Sequence, residues 1–498
     1  MTNDLTLFSV LPAGLEATIR KDNPWWRRER TADLPPIRRW AFERVLHGLK
    51  KGLAPVTVLR GPRQVGKTTL MNQVIDALLD EGVAPQRILR LQFDELPRVK
   101  ELVEPILELP RWYEESVLGK SLNRAAGEGQ KAFIFLDEVQ NLPDWAPQLK
   151  HLVDINPVRV LVTGSSALRI EAGRDSLAGR ISTLEMGPLL LREVAEFRHI
   201  GQLFPLLPPN GLASLRKKAF WQELRAFGEE KSKIRQIAFA AFSERGAYPV
   251  AQARADEPWE AVADFLNETV IRRAIQHDLR LGAKGQKRDE HLLEEVFRLA
   301  CRYAGQSPTP ALYLGEIKRA MSANIGPQRV MAYLKFLDGT LLVRLVEPLE
   351  LRLKRRRGAS KICLCDHALR AAWLQEVVPL TPEGLTASPH LADLAGHHAE
   401  SVVGYFLGSL VNLDVAHFPE RGSEPEVDFV ITVGEQRIPV EVTYRRRIDH
   451  QDTVGLRSFM EKAHYNAPFG VLVSLTDDPG SDDPRIVSLP LSSLLLMR

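Results

Sequence analysis

The chain has 498 residues, of which 44% are hydrophobic and 26% are charged, and its net charge is +3. This length exceeds what one hydrophobic core usually organises, so we expect about two to four domains. The near-balanced charge gives no general indication of nucleic-acid binding, and no apolar run approaches the roughly eighteen residues that a membrane span needs.

The first 45 residues predict a helical N-terminal segment. Its start, 1-MTNDLTLFSV-10, carries an acid and lacks the basic region of a secretion signal, so we expect a cytoplasmic protein without membrane contact. The three cysteines are too few for a disulfide framework and are expected to be buried thiols.

The strongest motif follows the β-branched run 56-VTVLR-60, where Gly61-x-x-x-x-Gly66-Lys67-Thr68 gives a complete Walker A pattern before a helix-forming segment. Glycines turn backbone N–H groups toward phosphates, Lys67 would reach the β- and γ-phosphates, and the Thr68 hydroxyl would bind Mg²⁺. The predicted nucleotide contacts are Gly61, Pro62, Arg63, Gln64, Val65, Gly66, Lys67, Thr68 and Thr69.

A buried strand ending in two acids, 133-FIFLDE-138, has the form of a Walker B motif. Asp137 would hold the Mg²⁺ shell, and Glu138 would polarise the attacking water as the catalytic base. Further strands are predicted at 88-ILRLQF-93, 158-VRVLVTGSS-166 and 181-ISTLEMG-187. Five strands, with one between Walker A and Walker B, indicate the additional-strand class of P-loop ATPases.

Two further catalytic groups are expected around this site. A polar residue after the fourth strand would sense the γ-phosphate, and Ser165 and Ser166 are the candidates, although either also fits a helix N-cap. An arginine finger is assigned to Arg180, with Arg174 and Arg169 as alternatives; a finger from a neighbouring subunit would require an oligomer.

The segments 61-GPRQVGKTTL-70, 136-LDEVQNLPDW-145, 162-VTGSSA-167 and 178-AGRISTLEMGPL-189 resemble the prokaryotic AAA-type ATPases that carry a C-terminal domain of unknown function with a restriction-endonuclease-like core. The second half is similar to the same family through 245-RGAYPV-250, 361-KICLCDHALRAAWL-374, 400-ESVVGYFLGSL-410 and 426-EVDFVITVGEQRIPVEV-442. The resemblance covers nearly the whole chain after about residue 35.

The middle of the chain predicts a winged helix. A helix over 290–305 is followed by two short helices split at 324-NIGP-327 and by a strand at 341-LLVRLV-346. The hairpin tip is expected at 354-KRRRGAS-360, so the densest basic cluster would form a wing able to contact DNA phosphates. The alternative is a winged helix that packs against protein, because the recognition position offers only Gln328, Arg329 and Lys335 as long polar groups.

The resemblance implies a nuclease-like site formed by Glu400, Asp428 and Glu441, the last followed by Val442 and Thr443. Carboxylates of this kind would hold a second divalent metal ion. A lysine is expected where Thr443 stands, and Arg445 on the same strand face is the nearest cationic replacement. We therefore expect little or no cleavage. The alternative is that Asp428 and Glu441 are plain hairpin surface acids.

The predicted fold class is α/β: a P-loop NTPase parallel-sheet domain, a helical and winged-helix middle, and a C-terminal α/β restriction-endonuclease-like domain. The leading hypothesis is an oligomeric ATPase that uses ATP and Mg²⁺ and whose C-terminal half engages DNA or protein; the alternatives are an ATP-gated nuclease and a nucleotide-switched scaffold without a DNA role. The predicted ranges are 1–45 (N-terminal helical), 46–200 (ATPase), 201–289 (helical linker or lid), 290–360 (winged helix) and 361–498 (nuclease-like).

Overall fold

The computed structural model describes residues 11–164, 177–208, 211–278, 289–321, 325–351, 354–355, 358–420, 422–477 and 481–498. It divides into two compact units, Met1–Met186 and Gly187–Arg498. Within the described ranges no helix is long and apolar enough to cross a bilayer. The five ranges predicted above form a finer division that stays a prediction.

The first unit is built on a parallel sheet, and its five strands confirm the five predicted from buried apolar runs. Their order in the described sheet is β2-β3-β4-β1-β5. Strand β4 therefore lies between the strand before Walker A and the strand that carries Walker B, which is the additional-strand arrangement. The strands are β1 (Val56–Arg60), β2 (Ile88–Gln92), β3 (Phe133–Asp137), β4 (Arg159–Gly164) and β5 (Ile181–Glu185).

Helices cover this sheet and share one apolar core with it, which includes Leu15 and Ile19 from the first helix. A π-helical turn, Glu114–Leu118, follows the fourth helix. The helices described in this unit are α1 (Ala13–Asp22), α2 (Phe42–Lys51), α3 (Lys67–Asp80), α4 (Pro105–Tyr113), α5 (Leu122–Gly127) and α6 (Trp145–Ile155).

The N-terminal segment covers the edge of the sheet at β2. Asn23 exchanges two hydrogen bonds with the backbone of Arg90, donating to its carbonyl at 2.9 Å and accepting from its N–H at 2.7 Å. The indole N–H groups of Trp25 and Trp26 both donate to the carbonyl of Ile88, at 3.1 and 2.9 Å. These side chains satisfy the backbone groups that an edge strand would otherwise expose to pairing.

The second unit begins with helices. Within it, the buried Asp366 links two segments that are distant in the sequence. Asp366 accepts a hydrogen bond from the N–H of Ala247 and another, at 2.9 Å, from the N–H of Ala368. Gly246 has φ +70°, and a Cβ there would lie 2.1 Å from Asp366 Oδ1, so only glycine fits. The helices before residue 279 are α7 (Leu191–Phe197), α8 (Lys218–Glu230), α9 (Ser232–Arg245), α10 (Pro249–Ala253), α11 (Trp259–Leu266) and the π-helical turns Asn267–Arg272 and Ala274–Asp278.

Three helices and a hairpin follow in the region predicted as a winged helix. The outer strands of the hairpin, β6 and β9, pair antiparallel, and this pairing joins residues on both sides of position 360. Lys354 and Arg355 pair with Leu351 and Glu350 and so belong to a strand, and the tip predicted at 354–360 was placed too late. The elements are α12 (Glu290–Arg302), α13 (Pro310–Met321), α14 (Pro327–Gly339), β6 (Val343–Val346), β7 (Glu350–Leu351), β8 (Lys354–Arg355) and β9 (Lys361–Leu364).

The last part of the chain forms a mixed sheet with the order β10-β11-β12-β13-β14. The pairs β10/β11 and β11/β12 are antiparallel, whereas β12/β13 and β13/β14 are parallel. A helix between β12 and β13 provides the long crossover that a parallel pair needs. The elements are α15 (His367–Leu374), α16 (Pro382–Ala387), α17 (Ala392–Gly408), β10 (Asp414–Phe418), β11 (Val427–Val433), β12 (Gln436–Thr443), α18 (Val454–Glu461), β13 (Gly470–Ser474), β14 (Ile486–Pro490) and α19 (Leu491–Leu494).

Candidate functional site

The loop between β1 and α3 has the backbone that phosphate binding requires. Gln64 and Gly66 have φ +61° and +91°, and Gly66 stands immediately before the first residue of α3. These left-handed residues turn the chain so that N–H groups and the helix N-terminus face the same side. A Cβ on Gly61 would lie 2.1 Å from the carbonyl oxygen of Met186, so no larger residue fits at the start of the loop.

The Lys67 side chain is buried inside this loop. Its Nζ donates to the carbonyls of Gly61 at 3.0 Å and Pro62 at 2.8 Å, and the residue is only 5% exposed. Arg39, from the segment before α2, donates through Nη1 to the carbonyl of Val65 at 2.5 Å. The remaining predicted contacts, Arg63, Gln64, Thr68 and Thr69, belong to the same loop and the first turn of α3.

The Walker A and Walker B residues meet at the carboxyl ends of β1, β3 and β4. The Thr68 hydroxyl donates to Asp137 Oδ2 at 2.9 Å, and Arg90 Nη2 lies 3.6 Å from the same oxygen. Thr163, on β4 between the two motif strands, donates its hydroxyl to Asp137 Oδ1. Asp137 is fully buried, so these donors compensate the desolvation of its carboxylate.

Glu138 follows Asp137 in a left-handed conformation with φ +52°. Its backbone N–H donates to Thr163 Oγ1 at 3.3 Å, and the Gln140 side-chain amide donates to Glu138 Oε2. The Gln140 amide thus holds one oxygen of the Glu138 carboxylate, next in the chain to the buried Asp137.

Arg180 lies at the amino ends of the strands, opposite the end that carries the phosphate loop. Its carbonyl accepts from the N–H of Val56, which begins β1, whereas the phosphate loop follows the end of β1. A five-residue strand spans roughly 16 Å, so Arg180 does not reach the loop of its own chain. Its guanidinium pairs with Asp154 on α6 at 2.5 and 3.0 Å, and this hydrogen bond lowers the pKa of Asp154. The sensor candidates Ser165 and Ser166 and the alternative fingers Arg169 and Arg174 lie outside the described residues.

In the second unit the structure brings Glu400, Asp428 and Glu441 together around a lysine that the sequence analysis missed. Lys361 Nζ donates to Asp428 Oδ1 at 2.6 Å and to Glu400 Oε2 at 2.8 Å, and it lies 3.6 Å from Glu426 Oε1. Among the described residues no group of three or more His, Cys, Asp or Glu side chains has the arrangement of a metal site.

The charges of this cluster perturb one another strongly. Burial opposes the charged form of Lys361, but Asp428, Glu400 and Glu426 outweigh it and raise the pKa of Lys361 well above its usual value. Burial, and then the Asp428 charge, raise the pKa of Glu400 and raise that of Glu441 well above the usual range. Burial also raises the pKa of Glu426. The lysine therefore stays charged while three of the acids resist ionisation.

Thr443, at the expected lysine position, and Arg445, its nearest cationic neighbour, have different environments. Thr443 is buried at the end of β12. Arg445 points to solvent with its side chain 66% exposed and lies 3.3 Å from Asp452. The ammonium beside the carboxylates thus comes from Lys361 on β9, whereas Arg445 is engaged elsewhere.

Three family models match parts of the chain. Residues 54–195 match the model described as an AAA domain, residues 238–377 match a domain of unknown function (DUF8612), and residues 395–494 match another domain of unknown function (DUF4143). The first match contains the Walker motifs and the parallel sheet. The chain contains an AAA-type P-loop domain.

Curated relatives have no described activity. An uncharacterized protein of Mycobacterium tuberculosis is 33% identical over 32% of this chain, and this chain spans only about 30% of its length. An uncharacterized protein of Haemophilus influenzae is 20% identical over 63% of this chain and 68% of its own. Among solved structures, a Walker-type ATPase of Pyrococcus abyssi is similar with a TM-score of 0.41 and 15% identity, covering 69% of this chain and 99% of that one.

Several site residues of the first unit could not be recognised from the motifs alone. Thr163 was visible only as a polar residue ending an apolar strand, and Gln140 only as a neighbour of the acid pair. Arg39 precedes the Walker A motif by more than twenty residues and carries no pattern. In the second unit, Lys361 was visible as a single charge at the start of the apolar run 361-KICLCD-366.

Proposed function

We propose that the chain binds ATP with Mg²⁺ and hydrolyses it to ADP and phosphate. The hydrogen bond between Thr68 and Asp137, at 2.9 Å, carries this proposal. It joins the first turn of the Walker A helix to the Walker B strand, and those are the two groups that hold the metal ion of a P-loop ATPase.

The oxygen ligands present fit Mg²⁺. The Thr68 hydroxyl and the Asp137 carboxylate are hard oxygen donors held next to each other by Thr163 and Arg90. When bound, Mg²⁺ would neutralise phosphate charge as it develops during transfer. The exposed Gln64 and the backbone N–H groups up to Thr69 would bind the phosphate oxygens of ATP.

Lys67 and Glu138 perform the remaining steps in this proposal. The Lys67 ammonium would leave the carbonyls of Gly61 and Pro62 for the β- and γ-phosphates, since a charged acceptor makes a stronger hydrogen bond than a carbonyl. Glu138 would orient a water molecule and accept its proton, and the amide of Gln140 would fix one carboxylate oxygen.

Two substitutions separate binding from turnover. Lys67→Ala should abolish ATP binding, whereas Glu138→Gln should keep binding and lower the hydrolysis rate by about a hundredfold or more. Binding of a fluorescent ATP analogue and phosphate release would be measured on both variants. Unchanged hydrolysis by Glu138→Gln would overturn the assignment of the catalytic base.

For the second unit we propose a winged helix that contacts DNA phosphates without reading sequence. Three helices followed by the β6–β9 hairpin support the fold. Gln328 and Arg329 at the start of α14, and Lys335 further along it, are all exposed and available to a ligand. So few long polar groups give little means of base readout, but they suffice for contacts whose strength depends on salt.

We propose a restriction-endonuclease-like core for the C-terminal domain. A helix carrying Glu400, an antiparallel set of strands carrying Asp428 and Glu441, and a helix leading to a parallel strand support it. Little or no cleavage is expected because Thr443 has no charge. The alternative, a metal-dependent nuclease, is favoured by one observation: Glu400, Asp428 and Glu441 lie close enough together for their charges to perturb one another.

Incubation with plasmid DNA, ATP and Mg²⁺ distinguishes these two functions. The proposed ATPase without nuclease activity leaves the plasmid intact even at high protein concentration. Nicking or linearisation that disappears in Asp428→Asn would establish the nuclease instead.

A further inference from the structure

The Lys361 side chain is almost completely enclosed, with 2% of its surface exposed. It extends from the first residue of β9 to the place where α17 and β11 bring their carboxylates together. Its ammonium also lies 5.1 Å from the centre of the Phe429 ring, which closes another side. The group is therefore held by the fold and does not sample solvent as a surface lysine does.

The ammonium takes the oxygens that a shared metal ion would need. Asp428 Oδ1 and Glu400 Oε2 each accept from Lys361, at 2.6 and 2.8 Å. The second oxygen of Asp428 accepts from the N–H of Val442 at 2.9 Å, and the second oxygen of Glu400 lies 3.5 Å from His397 Nδ1. Three of the four oxygens of these two carboxylates therefore accept a hydrogen bond, and the fourth lies beside an imidazole ring.

Glu441 is the fourth acid of the cluster, and it does not offer a separate binding position for a metal ion. Glu441 Oε2 is buried and has no hydrogen-bond partner within the described part of the chain. A divalent ion bound there and shared with Asp428 would lie a few ångströms from the Lys361 ammonium, and two cations at such a distance in a buried site repel strongly.

We propose that the Lys361 ammonium is the resident cation of this carboxylate cluster, and that the cluster takes a divalent metal ion only when the ammonium is removed. The proposal rests on the nuclease-like core with little or no cleavage proposed above, and it gives a reason for the missing activity that is independent of Thr443. It also gives Lys361 a structural role, because one side chain on β9 ties the hairpin strand to α17 and β11.

The test is the number of Mn²⁺ ions bound per chain, measured by equilibrium dialysis of the full chain without nucleotide. Lys361→Met keeps the length of the side chain and removes its charge, so this variant should bind one more Mn²⁺ than the wild type, and Mn²⁺ should raise its melting temperature. Lys335→Met is the matched control, because the same change at an exposed lysine of α14 should leave the count unchanged.

A second variant keeps the test decisive if Lys361→Met does not fold. Glu441→Gln removes a ligand that any metal ion in the wild-type cluster would use, so the proposal expects the same Mn²⁺ count as in the wild type. A count lower by one in Glu441→Gln, or no additional ion in folded Lys361→Met, would overturn the proposal. Neither result depends on ATP hydrolysis or on the Walker residues, which are intact in every variant.

Discussion

At the scale of single residues, the buried His398 makes the stability of the chain depend on pH. It lies in α17, is 3% exposed, and neither ring nitrogen has a hydrogen-bond partner within the described residues. Burial first, and then the charges of Arg370, His367 and His397, hold the pKa of His398 well below its usual value. The folded chain therefore keeps this imidazole neutral.

This predicts a loss of stability on the acid side. The unfolded chain gains the His398 proton at about pH 6.5 and the folded chain does not, so stability is complete above that pH and falls by ~1 kcal/mol by about pH 5.5. His398→Leu should remove this part of the decline. Melting temperatures of both proteins at about pH 8 and about pH 5.5 would measure it.

The matched control is His390→Leu, which changes an exposed histidine of the same unit and should decline as the wild type does. An equally steep decline in His398→Leu and in the wild type would show that other groups set the acid sensitivity.

Residues whose chemistry is fixed by a local pattern could be predicted, and residues supplied by a neighbouring strand could not. Lys67, Thr68, Asp137 and Glu138 follow strands that a buried apolar run identifies. Thr163 reaches Asp137 only because β4 lies beside β3, and that neighbour relation has no local signal. The resemblance named the C-terminal acids as one group, but it did not indicate Lys361, which comes from a strand about forty residues before Glu400.

At the scale of elements, the covered edge of β2 makes a testable prediction. Asn23→Ala removes both hydrogen bonds to Arg90 and a third, at 2.7 Å, to the carbonyl of Ile19. An N–H and carbonyls would remain buried without partners, so we expect the first unit to lose about 2–3 kcal/mol of stability. Urea unfolding of the full chain, followed by tryptophan fluorescence, would measure it.

The control for this prediction is Asn123→Ala, which removes two hydrogen bonds of 3.0 Å from an exposed asparagine in the same unit. Water replaces such bonds, so its effect should stay below about 0.5 kcal/mol. Similar losses in the two variants would contradict the importance of the covered edge.

The strands of the parallel sheet could be read from the sequence because each is a short buried run bounded by turn or helix signals. The hairpin of the second unit was predicted in kind but not in position. Its basic residues suggested a tip at 354–360, whereas Lys354 and Arg355 already pair with Leu351 and Glu350 in a strand. Charge marks a solvent-facing segment, but strand register decides where a chain reverses.

At the scale of the whole molecule, the position of Arg180 makes oligomerisation testable. Arg180 lies at the amino ends of β1 and β5, whereas its own phosphate loop follows the carboxyl end of β1, so an arginine finger at this position would act on a neighbouring subunit. Arg180→Ala should lower hydrolysis by about a thousandfold. Mixing it with inactive Lys67→Ala, which keeps Arg180, should restore activity above the sum of the two.

Arg124→Ala, which changes an exposed arginine of the same unit paired with Glu128, is the control and should hydrolyse ATP normally. Wild-type hydrolysis by Arg180→Ala, or an oligomeric mixture without recovery, would remove Arg180 from the proposed machinery.

The last prediction concerns the effect of DNA on the rate of ATP hydrolysis. ATP hydrolysis should be faster with double-stranded DNA than without it, and the gain should fall as salt rises because phosphate contacts release counterions. Arg329→Ala should weaken the gain, whereas Arg124→Ala in the first unit should not. Equal rates with double-stranded, single-stranded and no DNA, together with no DNA retardation in low salt, would favour a nucleotide-switched scaffold.

Gly61, which begins the phosphate loop, packs against the last residue of the first unit. The chain passes from the first unit to the second once, at the peptide bond between Met186 and Gly187. The carbonyl of that bond is the one against which Gly61 packs without room for a methyl group. A side chain larger than hydrogen at position 61 would therefore displace the carbonyl with which the first unit ends.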